Sequence, residues 1–365
     1  MRVVVAGGGT GGHYFPALAV GKELRKRGHR VLFVGSKLGI EGKLGFPSDE
    51  IFLLEYSSFR GKGLRGLFSL VGYGRAFLKV LSLFRDFKPD CCIVFGGYSS
   101  LPVGLAGALL RVPLFIQEQN SVPGKTNRFL SRFAVRGFLG FPEAGKYLKC
   151  RCTFTGNPLR EEILETVKRK KEAKERVFKR FSLDEEKRTL LVLGGSQGAL
   201  SINRLFERTI PFLSGLPIQV IHVTGYGKEG KLKELYRRAG VKAVVLPFYD
   251  RIWELYAAGD GVVSRAGALA ISEIAAFRLP SLLIPYPYAA DDHQYLNGAF
   301  LSQRGGALLF RESELSVETL LQGLKTILFD IMKRREMERV LLDLFPKSAT
   351  SLIVDEIEEW RERRS

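Results

Sequence analysis

The side chains best suited to chemistry are concentrated in residues 264–297, SRAGALAISEIAAFRLPSLLIPYPYAADDHQYLN. The small-residue turn Arg265-Ala266-Gly267-Ala268 follows the apolar run Gly261-Val262-Val263 and opens a helical pattern with Ile271, Ile274 and Ala275 on one face. Backbone N–H groups at such a helix start form an anion site. Glu273, early in that helix, can accept two hydroxyl hydrogen bonds from a sugar ring. The next strand, Ser281-Leu282-Leu283-Ile284-Pro285, runs into Asp291, Asp292, His293, Gln294 and Asn297, groups with little use in a core. The combination predicts a site for a phosphorylated sugar.

A second centre lies near the start of the chain. The strand Val3-Val4-Val5-Ala6 ends in Gly7-Gly8-Gly9-Thr10-Gly11-Gly12-His13, ahead of a helical stretch over 16–26. Gly7, Gly9 and Gly12 satisfy G-x-G-x-x-G, the dinucleotide fingerprint. A dehydrogenase would place Asp or Glu at the end of the second strand, and here His29-Arg30-Val31-Leu32-Phe33-Val34 ends in Gly35-Ser36-Lys37, which argues against nicotinamide or flavin. So many adjacent glycines point instead to a close approach of a ligand or another backbone. His13 stands where a strand-to-helix loop aims side chains at a ligand, as a structural histidine or a general base.

These loops need sheets to hold them. At 365 residues and 45% hydrophobic composition, two α/β domains are expected. Cys91-Cys92 and Cys150-x-Cys152 have neither zinc nor redox C-x-x-C spacing and read as reduced core thiols of a cytosolic protein. Met1-Arg2 leads directly into a strand, so no signal peptide is expected, and no apolar run is long enough to span a membrane. The net charge of +18 fits anionic lipid, nucleic acid or a phosphorylated substrate.

Between residues 60 and 88, Arg60, Lys62, Arg65, Arg75, Lys79 and Arg85 alternate with large apolar groups. This is an ordinary amphipathic crossover helix or a surface resting on anionic lipid. The apolar strands Cys91-Cys92-Ile93-Val94-Phe95 and Pro113-Leu114-Phe115-Ile116 suit a parallel sheet and end in polar loops carrying Tyr98, Glu118 and Asn120. For Glu118 and Asn120, loop capping competes with ligand contact. Gly156-Asn157-Pro158-Leu159-Arg160 reads as the link between domains, followed by one long charged helix over 161–181 whose KRKK run is a solvated face. The opening theme then recurs: Thr189-Leu190-Leu191-Val192-Leu193 ends in Gly194-Gly195-Ser196-Gln197-Gly198-Ala199, before a helix carrying Asn203. A last helix, 348–364, is expected to bury Leu352, Ile353, Ile357 and Trp360.

Taken together, GGGTGGHYFPALA (7–19), GGYSSLP (96–102), QEQNSVPGKTN (117–127), TGNPLR (155–160), GGSQGA (194–199), SRAGALAISE (264–273) and DDHQYLN (291–297) resemble the MurG family of UDP-N-acetylglucosamine transferases. The resemblance implies the α/β GT-B architecture, two Rossmann-like domains with parallel sheets facing across a cleft. Residues 1–157 would bind acceptor and membrane, 158–345 the donor UDP-GlcNAc, and 346–365 would form a helix returning to the first domain. By the same resemblance, the backbone at Phe248 and Tyr249 meets the uracil, Glu273 the ribose, and Ala268, Leu269, Ala270, Ile271 and Ser272 with Ser196 the diphosphate. Arg160 and Asn120 are further donor contacts, Gln294 reads the GlcNAc hydroxyls, and Thr10, Gly11 and Gly12 close over the donor. Tyr98, Glu118, Asn203 and Asn297 are acceptor or supporting positions. The family usually has His where this chain has Gln117, and glutamine takes no proton at neutral pH.

The reaction so implied is inverting transfer of GlcNAc to the C4 hydroxyl of lipid-linked MurNAc-pentapeptide, at the cytoplasmic membrane face, alongside other cell-wall synthesis proteins. His13 is the candidate base. The chain contains no D-x-D, so no metal and no cofactor are expected. Rivals are a UDP-GlcNAc 2-epimerase or glycolipid transferase of the same fold, a nucleic-acid-binding protein, for which neither a recognition motif nor a stacking platform is visible, and a non-catalytic membrane scaffold.

Overall fold

A computed structural model describes residues 1–40, 42, 50–55, 64–195, 198–344 and 348–363, with the backbone alone for 64–71. The chain divides into two compact units, Met1–Arg160 with Pro346–Ser365, and Glu161–Phe345.

In the first unit the strands are β1 (Arg2–Ala6), β2 (Arg30–Ser36), β3 (Ile51–Leu54), β4 (Cys91–Val94), β5 (Leu114–Glu118), β6 (Arg136–Leu139) and β7 (Arg151–Phe154). They form one parallel sheet in the order β3-β2-β1-β4-β5-β6-β7. Val3, Val4, Val5 and Ile93 are fully buried because helices cover both faces, which is why these strands read as unbroken apolar runs. One layer contains α1 (Gly11–Lys26). The other contains α2 (Leu64–Phe87), whose Ala76, Val80, Phe84 and Phe87 face the sheet at helical spacing while Arg75, Lys79 and Arg85 remain exposed. Arg60 and Lys62, and the side chain of Arg65, lie outside the described residues. Two shorter helices follow, α3 (Ser100–Leu109) and α4 (Lys125–Leu130).

The second unit holds β8 (Arg188–Leu193), β9 (Ile218–Val223), β10 (Ala243–Leu246), β11 (Gly261–Ser264), β12 (Ser281–Leu283) and β13 (Leu308–Leu309), parallel in the order β10-β9-β8-β11-β12-β13. The expected long helix over 161–181 is two helices, α5 (Glu161–Lys168) and α6 (Lys170–Phe181), separated at Arg169, whose φ −114° and ψ 36° are not helical. Nor is the KRKK run wholly solvated. Lys170 is largely buried, and its ammonium donates to Phe277 O at 2.9 Å.

The remaining helices are α7 (Leu200–Thr209), α8 (Glu229–Arg238), α9 (Ile252–Ala258), α10 (Ala268–Phe277), α11 (His293–Ser302), α12 (Val317–Phe329), α13 (Ile331–Leu344) and α14 (Ala349–Glu362). The last belongs to the first unit and packs on α1. It buries Ile353, Val354 and Ile357, each contributing about 1.5–3 kcal/mol as an upper estimate. Trp360 meets Phe115 edge-on at 5.5 Å. Leu352, expected in that face, is 40% exposed, and Val354 takes its place because the contact stripe is centred one residue further along the helix. Arg27 pairs with Asp355 and Glu358, and Arg136 with Glu356, fixing the helix in register. Among the described residues no helix is long and apolar enough to cross a membrane.

Candidate functional site

In both sheets the strand order reverses beside the first strand, between β1 and β4 and between β8 and β11. The crevice beyond the strand C-termini at such a switch point is where open α/β sheets bind ligands. All four glycine-rich or small-residue loops named from sequence emerge there.

In the first unit, Gly7 belongs to the β1–α1 loop, where a Cβ would lie 2.8 Å from Phe95 Cβ and 3.0 Å from Ala17 Cβ. The glycine lets loop, strand and helix meet. Thr10 and Gly12 are exposed, and the Thr10 carbonyl accepts from the amides of His13 and Tyr14, leaving those of Gly11 and Gly12 at the helix start. His13 sits in that first turn. Its ring is bordered by the β4–α3 loop: a Cβ on Gly96 would lie 3.3 Å from His13 Cε1, and one on Gly97 3.2 Å from Cδ2 and 2.6 Å from Gly8 O. Both glycines have positive φ.

The imidazole has a defined partner, Gln119 Oε1 at 2.8 Å from Nδ1. Gln119 Nε2 donates to Phe95 O (2.9 Å) and Gln117 Oε1 (2.6 Å), so Oε1 is the atom turned toward His13 and must accept. Nδ1 therefore carries the proton, and the neutral ring presents its lone pair at Nε2. Gln117 is itself anchored, donating to Asn157 Oδ1 at 3.1 Å, while Asn157 Nδ2 returns to Gln119 O at 3.0 Å. Gln117 is fully buried. It orders the amide that orients His13.

Glu118 is also buried. Burial raises its carboxyl above the ordinary range, against hydrogen bonds from Asn120 N (2.9 Å), Asn127 Nδ2 (2.8 Å) and Gly124 N (3.3 Å). Glu118 thus caps its own loop, and Asn120 is held to it by backbone and side chain. Tyr98, in the loop between β4 and α3, is 39% exposed. Arg160 lies over the Phe15 ring at 4.5 Å.

In the second unit, the segment between β8 and α7 is tight at two of its glycines. A Cβ on Gly194 would lie 2.3 Å from Ala199 N, and on Gly198, whose φ is +71°, 2.1 Å from Thr224 O. Ser196 lies outside the described residues. Asn203 is buried and donates to Thr224 O (3.0 Å), while its Oδ1 accepts from His222 Nε2 (3.1 Å), so it supports the loop from beneath. His222 is fully buried against Tyr236 OH at 3.2 Å, and burial lowers its pKa to about 3.

At α10 the helix start presents the amides of Ala268, Leu269 and Ala270. Ile271 N is spent on Gly267 O at 2.9 Å, its side chain is buried, and the Ser272 hydroxyl donates to Ala268 O at 2.9 Å. Glu273 is half-buried in the next turn. Gln294 Oε1 accepts from Tyr286 N at 3.0 Å, which leaves its amide nitrogen to donate elsewhere. Asn297 is buried and donates to Ala266 O.

Arg265, Glu312 and Tyr226 had no assigned role in the sequence. Arg265 donates to Ile284 O (3.2 Å), Pro285 O (3.1 Å) and Ser201 Oγ (2.8 Å), and pairs with Glu312 at 2.6 Å. One guanidinium thereby clamps the loops after β8, β11 and β12. Tyr249 turns its hydroxyl to Glu254 Oε2 (2.8 Å) and Arg180 (3.2 Å), so only its backbone is left for a ligand. Phe248 stacks on the exposed Tyr226 at 6.0 Å and 17°, an aromatic platform at the ends of β9 and β10. An aromatic just after each strand was the available signal for that pair. Arg265 and Glu312 are 47 residues apart and left none.

Residues 3–138 match the glycosyltransferase family 28 N-terminal domain, and residues 189–352 its C-terminal domain. A curated relative from Pelobacter propionicus, named UDP-N-acetylglucosamine--N-acetylmuramyl-(pentapeptide) pyrophosphoryl-undecaprenol N-acetylglucosamine transferase, is 38% identical over 98% of this chain and 99% of its own. The crystal structure of Acinetobacter baumannii MurG is 28% identical, with a TM-score of 0.75 over 98% of this chain and 99% of that one. A UDP-GlcNAc 2-epimerase from Neisseria meningitidis, crystallised bound to UDP-GlcNAc, shares the fold at 13% identity and a TM-score of 0.67, over 98% of this chain and 100% of that one.

Proposed function

Because this chain belongs to the MurG family of glycosyltransferases, we propose that it transfers GlcNAc from UDP-GlcNAc to the C4 hydroxyl of undecaprenyl-pyrophosphoryl-MurNAc-pentapeptide. The observation that carries this is 38% identity along essentially the whole length of a transferase so named. The two parallel-sheet units are those of a GT-B enzyme.

The second unit holds the donor. The amides of Ala268, Leu269 and Ala270 face the diphosphate and stabilise the negative charge that grows on it as UDP departs. Glu273 accepts from the ribose hydroxyls, the backbone at Phe248 and Tyr249 reads the uracil, and Gln294 donates to a GlcNAc hydroxyl. Arg265 positions these loops without touching the donor. In the first unit, His13 Nε2 takes the proton of the attacking C4 hydroxyl. Gln119 supports this role because it fixes the tautomer before the acceptor arrives. The chemistry runs without a metal, the charge of the diphosphate being met by backbone amides.

The acceptor is a lipid, so the enzyme works at the cytoplasmic membrane face as a peripheral protein. Exposed Phe129, Phe133 and Tyr147 support this, with Arg132 stacked over Phe129 and Arg128 over Tyr147. Apolar side chains flanked by guanidinium groups suit an anionic lipid surface.

Following UDP-GlcNAc by NMR with and without the lipid acceptor separates transfer from epimerisation. Donor consumed only with acceptor supports the transferase. Isomerised donor without acceptor supports the epimerase reading and defeats this one.

A further inference from the structure

The second unit has a cationic pocket at the N-terminal ends of its strands, opposite the donor loops. A cavity of about 410 Å³ opens between α6, the Gly259-Asp260 turn before β11, the Arg278-Leu279-Pro280 turn before β12, and Arg334 and Glu338 of α13. It is separated from the Ala268 amides by the length of α10, roughly 15 Å for ten residues.

Five cationic side chains line it against two carboxylates. Both carboxylates are engaged. Asp260 Oδ2 accepts from Thr189 N at 2.8 Å, its Oδ1 lies 3.5 Å from Arg188 and 3.8 Å from Lys174, and Glu338 lies 3.7 Å from Arg334. Arg334 also donates to Asp260 O at 2.7 Å, which fixes its guanidinium. Among the described residues, Lys171 and Arg278 form no ion pair, and both are exposed at the rim.

Two features set the pocket apart from a solvated basic face. Lys170 is drawn inward onto Phe277 O, and burial lowers its pKa, a penalty on its charge that a bound anion would offset. Arg278 ends α10 with φ 54° and ψ 45°, where glycine is usual and any other residue costs about 1 kcal/mol or more. The left-handed turn sets a guanidinium, rather than no side chain, on the rim.

We propose that this pocket binds a small phosphorylated anion, with Lys170 and Arg334 at its floor and Lys171, Lys174 and Arg278 at its rim. The fixed guanidinium of Arg334 beside the rim ammonium groups and the Arg278 guanidinium matches phosphate oxygens. A concavity of this volume accepts a compact ligand of pyrophosphate to nucleotide size. The site is independent of the donor loops and of the transferase reading.

The test is brief acetylation of the full-length protein, read lysine by lysine by mass spectrometry, with and without inorganic pyrophosphate, paired with calorimetric titration. Pyrophosphate should slow labelling of Lys170, Lys171 and Lys174 several-fold, and the double variant Lys171→Glu/Arg278→Glu should bind it at least about tenfold more weakly at that site. Arg278→Gly relieves the left-handed strain, so it should keep or raise the unfolding temperature while still weakening pyrophosphate. Unchanged labelling, or protection that persists in the variants, would overturn the proposal. So would protection of these lysines by anionic vesicles but not by pyrophosphate, which would move the surface to a membrane role.

Discussion

His13 Nδ1 stands 2.8 Å from Gln119 Oε1, and the amide nitrogen of Gln119 is committed to Phe95 O and Gln117 Oε1. A chain of buried amides thus sets the tautomer of the one histidine at the first switch point. If Nε2 is the base, His13→Ala should lower kcat by about 10²–10⁴-fold with little change in donor affinity. Equal turnover removes His13 from the role.

Gln119→Leu keeps the volume but removes the acceptor for Nδ1–H. The ring can then adopt either tautomer or turn, and kcat should fall about tenfold or more while donor binding holds. Gln119→Glu can still accept that proton and should recover part of the loss. A purely structural Gln119 would instead show lower thermal stability with unchanged kcat.

Gly97→Ala places a methyl 2.6 Å from Gly8 O at a φ of +79°. Both the clash and the left-handed backbone act against it, with a cost of about 1–3 kcal/mol. Loop and ring shift together, so activity should fall more than the melting temperature suggests. A variant with normal stability and activity would contradict the packing described.

Glu273→Gln should weaken binding of UDP itself, because its proposed partner is the ribose rather than the sugar transferred. Calorimetry with UDP alone checks this. Undiminished UDP affinity sinks the assignment.

Burial lowers the pKa of His222 to about 3, against about 6.5 in an unfolded chain. Below pH 6.5 the unfolded state takes up a proton that the folded state refuses. The stability this neutral imidazole contributes is present above that pH and is lost as pH falls toward 3, by up to about 1.4 kcal/mol per unit. Glu118, with its raised pKa, works in the opposite direction. Comparing denaturation at pH 7 and 5 for the wild type and His222→Gln isolates the histidine: the variant should show the smaller loss.

Much of the framework was readable because strands buried on both faces must be apolar throughout and because glycine loops mark the switch points. Glu273, His13 and the start of α10 stood out by type and local position. What stayed hidden depended on distant partners. Nothing near Gln119 announces that it will meet His13 from 106 residues away, and Arg265 could not be recognised as a clamp without Glu312 and Ser201. Periodicity placed α14 but misplaced its buried stripe by one step, because 3.6-residue spacing leaves both Leu352 and Val354 beside Ile353. The two-helix break at Arg169 has no proline or glycine to signal it, and the inward turn of Lys170 follows from tertiary packing against Phe277.

The most direct measurement is transfer of labelled GlcNAc from UDP-GlcNAc to a short-chain muramyl-pentapeptide pyrophosphoryl lipid in the presence of EDTA. The expected product is a lipid-linked disaccharide with a β-1,4 bond, formed at an undiminished rate with the chelator and nearly abolished in His13→Ala. Label that never reaches the lipid with or without added metal, while UDP-GlcNAc still binds, would contradict it.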